Sequence, residues 1–354
     1  MHIRSIVGGL TAAGLVAGGL TLAAPSAEAA RPQVTFRNGK LAVFGTDGDD
    51  SVVITRTRKA VKVKVNGTKV RFRPALKPGK VKSISVTTRG GDDTVLLREK
   101  AGPLPQAKLN GGAGNDHLTG DAGSSRLIGQ DGNDVLVAGS GPTSLEGGDG
   151  DDRLVAGAGS ANVVAAGGND VVLGGTGPAT IAGGPGNDDI TTGAGAATVD
   201  GGIGDDRVTG GAGSLVATGG DGRDNLAGGA SASATLSGGN DDDTLIGGTG
   251  AATLSGDGGN DVLRVGLHTS QMAGGPGADT FKVGEALSGS GTPEAFGGCT
   301  IADFETGEKV DLFTGLLVQA GDGTAVVTIG DGVTPYGTLT SGNNRPWSAA
   351  GDFI

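Results

Sequence analysis

A chain of 354 residues that spends 74 of them on glycine and 13 on proline, with eight Phe, one Tyr and one Trp, has too few large side chains for an ordinary globular core. Its net charge of -11 is acidic, and its single cysteine, Cys299, excludes an intrachain disulfide framework and a cysteine-based zinc site. Glycine loses more backbone freedom on folding than any other residue, so this composition folds only if a periodic design compensates for it.

At the N-terminus Arg4 precedes an apolar, glycine-broken stretch from Ile6 to Ala24, and Ala27-Glu28-Ala29 then puts small residues at the two positions a signal peptidase reads. Residues 1–29 therefore read as an export signal cut after Ala29. The glycine breaks and the missing stop-transfer charge argue against an uncleaved anchor. No later segment is apolar and long enough to span a membrane as a helix.

Residues 30–110 form a basic region of net charge +12. Short apolar runs at Val34–Phe36, Leu41–Phe44, Val52–Ile54 and Ile84–Val86 predict β-strands. Between them, Val61 to Arg73 predicts a hairpin turning at Asn66-Gly67, a pair suited to a type I′ turn. That turn fixes the register. Val63 should face Val70 and Val61 should face Phe72 on one side, with Lys62 opposite Arg71 and Lys64 opposite Lys69 on the other. Facing like charges weaken a sheet by a few tenths to ~1 kcal/mol per pair. They read either as protection of a sheet edge or as a strip that docks an acidic cell-wall polymer or polysaccharide. Export argues against nucleic acid as the partner.

From Gly111 to Lys282 the chain repeats every nine residues, in nineteen successive units that begin GGAGNDHLT, GDAGSSRLI, GQDGNDVLV. The full form, as in Gly111–Thr119 or Gly183–Thr191, is G-G-x-G-x-D-x-U-x. It resembles the RTX (haemolysin-type) calcium-binding nonapeptide, a resemblance that covers about half the chain. The resemblance implies an all-β fold, a parallel β-roll or β-helix with two nonads per coil. In each nonad six glycine-rich residues should turn and three should form a strand whose middle side chain points inward. Leu118, Leu136, Leu154, Val172, Ile190, Val208, Leu226, Leu245, Leu263 and Phe281 make one inward column. Leu127, Leu145, Val163, Ile181, Val199, Leu236, Leu254 and Met272 make the other. The segments Gly45–Val52 and Gly90–Val95 look like degenerate forms of the same repeat and read as early, irregular coils.

Position six holds aspartate only in alternate nonads: Asp116, Asp134, Asp152, Asp170, Asp188, Asp206, Asp224, Asp243, Asp261 and Asp279. Their spacing of eighteen residues, with one step of nineteen, stacks them on one edge about 4.8 Å apart. At that separation neighbouring unit charges cost on the order of 3 kcal/mol at an effective dielectric near 20. The resemblance implies that calcium removes this repulsion, sitting between loops and taking carboxylate and turn-carbonyl oxygens. Ten loops give nine gaps, hence about nine ions along this edge. The intervening nonads hold Ser125, Thr143, Ala161, Ala179, Ala197, Leu215, Ala234, Ala252 and Ser270 at position six, which predicts a metal-free opposite edge with Thr180, Thr198 and Thr253 in a polar ladder.

Residues 283–354 hold Thr300-Ile301-Ala302-Asp303-Phe304 and Val310-Asp311-Leu312, similar to the segment that follows RTX rolls and covers their open end. The Sec-type N-terminal signal departs from the family's usual C-terminal export signal and counts against a toxin role.

Enzyme signatures are missing. There is no H-E-x-x-H or G-x-S-x-G, and after the signal only His117 and His268 remain, both inside nonads. Arg153, Arg207, Arg223 and Arg264 lie in nonads beside the aspartates, the pattern a calcium-dependent polysaccharide lyase or epimerase would need, although pairing with acidic neighbours is the commoner role of such arginines. The sequence thus predicts a secreted, non-enzymatic, structural or adhesive calcium-binding roll, with no catalytic residues assigned, and a calcium-dependent lyase or epimerase as the alternative.

Overall fold

The computed structural model describes residues 4–5, 31–230, 233–266, 270–283, 299–301, 309–312, 316–321, 324–329 and 339–341. The segment predicted as an export signal, apart from Arg4 and Ser5, lies outside the described residues, as do His268, Asp303 and Phe304. The fold is all-β, a parallel β-solenoid, and it divides into two compact units at residues 160 and 161.

In the first unit one face stacks Lys40–Phe44, Ser83–Gly90, Ala107–Ala113, Ser125–Asp131 and Thr143–Asp149 in parallel. The other face stacks Ser51–Arg56, Thr94–Glu99, His117–Thr119, Val135–Val137 and Arg153–Val155. The degenerate segments of the basic region are therefore coils of the same solenoid. Their spacing is irregular because a hairpin excursion (residues 57–82) and a loop (residues 100–106) are inserted between strands. The strand Ala107–Ala113 runs unbroken from this region into the first nonad.

The predicted hairpin forms, with Val61–Val65 and Thr68–Val70 paired in the expected register, Val63 to Val70 and Lys64 to Lys69. Asn66 and Gly67 both take positive φ, 49° and 74°, as a type I′ turn requires. The ladder ends at Val70, so Val61–Phe72 and Lys62–Arg71 are not strand pairs. The Val61 amide donates instead to the Leu76 carbonyl at 2.8 Å, and residues 71–76 leave the sheet.

In the second unit one face runs in parallel from Ala161–Gly167 through Ala197–Ile203 and Ala251–Gly258 to Ser270–Ala273 and Cys299–Ile301. The other runs from Val171–Leu173 to Thr280–Val283 and Lys309–Leu312. The two C-terminal strands carry the parallel pairing on past the last nonad, Met272 to Ile301 and Phe281 to Val310.

Both predicted inward columns are buried, each member 2% exposed or less. A buried aliphatic side chain contributes about 1.5–3 kcal/mol, and each nonad supplies one. The strands differ from expectation on one face. Nonads with aspartate give strands of three or four residues, but the intervening nonads as far as Gly258 give seven- or eight-residue strands that start at position five or six and run into the next glycines. A small or apolar residue at position six lets the chain stay extended and pair with the coil above. An inward aspartate closes a turn.

The second glycine of the aspartate nonads is set by close approach. A Cβ at Gly184 would collide with the Ala166 carbonyl oxygen, and Gly184, Gly202 and Gly220 adopt φ of 122–130°. Where a side chain stands there, at Gln130 and Ala166, φ falls to 99° and 87°, a local strain the stacked coils absorb.

Candidate metal centre

All ten aspartates at position six are buried, 0–3% exposed. Each closes the turn that leads into a strand of three or four residues, which turns its carboxylate inward. One carboxylate oxygen is spent on the stack. In the first unit the Asp116 amide donates to Asp134 Oδ1 at 2.7 Å and the Asp134 amide to Asp152 Oδ1 at 2.7 Å. In the second unit the same bond links Asp170 to Asp188, Asp188 to Asp206, Asp206 to Asp224, Asp224 to Asp243, Asp243 to Asp261 and Asp261 to Asp279 at 2.7–2.8 Å. The nineteen-residue step before Asp243 does not break it.

The second oxygen has no such partner. Oδ2 of Asp116, Asp134, Asp188, Asp206, Asp224, Asp243 and Asp261 is buried with no hydrogen-bond donor. A buried polar atom left unsatisfied costs about 1–3 kcal/mol, more when charged. The electrostatics follow: burial, with nearby carboxylates adding to it, pushes Asp116, Asp134, Asp188, Asp224 and Asp243 up to about 7 and Asp206 and Asp261 up to about 6, against the opposing pull of the amide bond.

The glycine at position one is part of the same arrangement. A Cβ at Gly201 would overlap Asp206 Oδ2 and lie 2.6 Å from the Gly219 carbonyl oxygen of the next coil, and Gly238 and Gly256 are framed in the same way. Carboxylate and carbonyl oxygens thus converge beside each glycine. Among the described residues no three His, Cys, Asp or Glu side chains gather at one point, and the oxygens placed beside the carboxylates are turn carbonyls such as those of Gly219 and Gly256. An all-oxygen donor set, with a buried carboxyl oxygen that lacks a donor at Asp116, Asp134, Asp188, Asp206, Asp224, Asp243 and Asp261, fits a hard cation such as calcium and suits neither zinc nor copper.

Two features escaped the sequence reading. The residue at position five, exposed, builds a second ladder in which its side-chain oxygen accepts the amide of the next coil: Asn115 to the Asn133 amide, Asn133 to Asp151, Asn169 to Asn187 and Asn187 to Asp205, at 2.8–3.0 Å. The N-D pairs of the repeat were the signal for it. The aspartate column also continues into the basic region, where the Asp93 amide donates to Asp116 Oδ1 at 2.8 Å and the Asp50 amide to Asp93 Oδ1 at 2.6 Å. Gly91-Asp92-Asp93 was visible as a degenerate repeat, but a 23-residue step hid its place in the column.

On the opposite edge Ser125, Thr143, Ala161, Ala197, Leu215, Ala234, Ala252 and Ser270 are buried in the first or second residue of a strand, and Thr180–Thr198 and Thr235–Thr253 are adjacent pairs. Of the arginines, Arg223 sits 3.5 Å from Asp205 Oδ2 with both side chains exposed, a surface ion pair.

The family model of the RTX calcium-binding nonapeptide repeat (4 copies) matches residues 110–145, 146–181, 164–199, 182–214, 200–232 and 235–267. Comparison with curated proteins finds no match.

Proposed function

Residues 110–267 are RTX calcium-binding nonapeptide repeats in a parallel β-solenoid, a calcium-binding β-roll, and from that premise we propose an exported, non-catalytic protein that folds as it takes up extracellular calcium and serves as a structural or adhesive module. The observation that carries this reading is the buried aspartate column, in which Oδ2 of Asp116, Asp134, Asp188, Asp206, Asp224, Asp243 and Asp261 lacks a donor. The ligands are Asp116, Asp134, Asp152, Asp170, Asp188, Asp206, Asp224, Asp243, Asp261 and Asp279 together with turn carbonyls, and about nine ions occupy this edge alone. The export signal at residues 1–29, the basic region at 30–110, the roll at 111–282 and a C-terminal cap at 283–354 are the working parts of this scheme.

Native mass spectrometry of the mature chain in millimolar calcium should count about nine ions, and Asp188→Ala should lower the count by about two by removing one wall of each site it borders. A count near zero would sink the calcium reading. A count near seventeen would show that the opposite edge binds as well and overturn the one-sided scheme.

For the adhesive role, the support is the exposed face of the hairpin, where Lys62, Lys64, Lys69 and Arg71 are all exposed and Lys64 lies directly across from Lys69. In this reading the strip docks an acidic cell-wall polymer or polysaccharide. Replacing the four by Gln should weaken binding to isolated cell walls severalfold and flatten its salt dependence. Unchanged binding with increased aggregation would make the strip an edge guard instead.

A further inference from the structure

The aspartate column offers a sharp contrast at its N-terminal end. Asp50 is 2% exposed yet fully served by the protein. Its Oδ2 accepts from the Thr46 amide at 2.6 Å, with the Thr46 hydroxyl, whose proton is shared with the Gly48 carbonyl, at 3.0 Å, and its Oδ1 accepts from the Asn66 side-chain amide at 2.7 Å. Asn66 is the turn residue of the hairpin, so the basic excursion folds back to close this coil. Every oxygen that a cation would take at Asp50 is already in use.

Asp93, one coil on, is 1% exposed and is not closed in this way. Its Oδ1 takes the Asp50 amide, but its Oδ2 is buried without a donor, as is Oδ2 of Asp116 in the following coil. The Thr88 hydroxyl lies close enough to offset part of the effect of burial on Asp93, but its single proton goes to the Gly111 carbonyl at 2.8 Å. The coil holding Asp93 matches the roll in its other ladder too, with the Asn115 amide donating to Asp92 Oδ1 at 2.8 Å. Neither the nine-residue spacing nor the family match, which begins at residue 110, includes this coil.

We propose that Asp93 and Asp116, with turn carbonyl oxygens, hold a further calcium ion, and that the metal column ends there because Thr46 and Asn66 replace the cation at Asp50. This rests on the calcium reading of the roll. It places the first ion inside the basic region and couples the folding of its last coil, with the strand Thr94–Glu99, to calcium.

The test compares Asp93→Asn with Asp50→Asn in the mature full-length chain, by native mass spectrometry with calcium alone as the probe. Asp93→Asn should bind one ion fewer than the parent, and Asp50→Asn should keep the parent count. Backbone hydrogen exchange tells a lost ion from a lost fold: in Asp93→Asn the strands Val135–Val137 and Val171–Leu173 should stay calcium-protected while Thr94–Glu99 loses protection. A parent count in Asp93→Asn, or an equal loss in both variants, would overturn the proposal. A parent that binds no calcium would instead overturn the function on which it rests.

Discussion

Withdrawing calcium from the mature chain should abolish most of the far-ultraviolet β signal of the roll, and millimolar calcium should restore it. Ordering a residue costs about 1–2 kcal/mol, and glycine, the commonest residue here, costs more. Against this each nonad buries one aliphatic side chain, a column one residue wide on each face. Hydrogen bonds between coils add support, but the aspartate side of each coil is where the structure is least satisfied, with Oδ2 of Asp134, Asp188, Asp206 and Asp224 buried and without a donor. In the proposed scheme calcium would act at the point of greatest deficit, which would make binding and folding one step. Extracellular calcium modules bind at ~10⁻⁴ to 10⁻³ M, which would leave the roll unfolded before export and folded after it.

The basic region should behave differently. Val34, Leu41, Val43, Val52, Ile54, Val63, Val65, Ile84 and Val86 are buried within positions 34–86, a denser core than one column residue per nonad, and Asp50 is closed by its own hydrogen bonds. The β signal that survives excess chelator should therefore come from its first coils, Gln33 to Arg56 with the hairpin. Circular dichroism with and without chelator, read together with hydrogen exchange, measures both. An unchanged spectrum in chelator would refute calcium-coupled folding.

The roll was legible in the sequence because its physics is periodic. A nine-residue step fixes which side chain points inward, so Leu118, Leu136 and Leu154 could be placed in one column before any coordinate was known, and alternate aspartates could be placed on one edge. What the period did not carry was harder to read. Thr94–Glu99 joins His117–Thr119 across a 23-residue step because the excess is looped out at residues 100–106, where Asp121 fastens the loop by accepting the Leu104 amide at 2.6 Å. Nothing in the composition of that loop announces its anchor. The long strands were also missed, because glycine at positions one and two reads as turn, whereas parallel pairing with the next coil holds Gly201 and Gly202 extended enough to extend the ladder. The inward lean of the aspartates, which leaves one oxygen bonded and one not, depends on backbone geometry that spacing alone does not specify.

That lean makes stability depend on pH in opposite senses with and without calcium. Unfolded aspartate titrates near its ordinary value of about 3.9, whereas the buried Asp116, Asp134, Asp188, Asp224 and Asp243 are raised to about 7. The metal-free folded roll therefore binds more protons than the unfolded chain between these values. Its protonation-linked stability is complete below about pH 4 and is lost as pH rises through 6 to 7. In excess chelator, then, lowering the pH from 7.5 to 5 should increase the residual β signal, because protons quiet the same carboxylates that calcium would otherwise bind. With calcium present the slope reverses. An ion must displace those protons, so each proton displaced lowers apparent affinity about tenfold per pH unit below the folded value. Calcium binding at pH 6.5 should release protons, and titration calorimetry in two buffers of different ionisation heat counts them. Equal heats in both buffers would mean that the column is already fully ionised without metal, and the buried, protonated state of these aspartates would have to be abandoned.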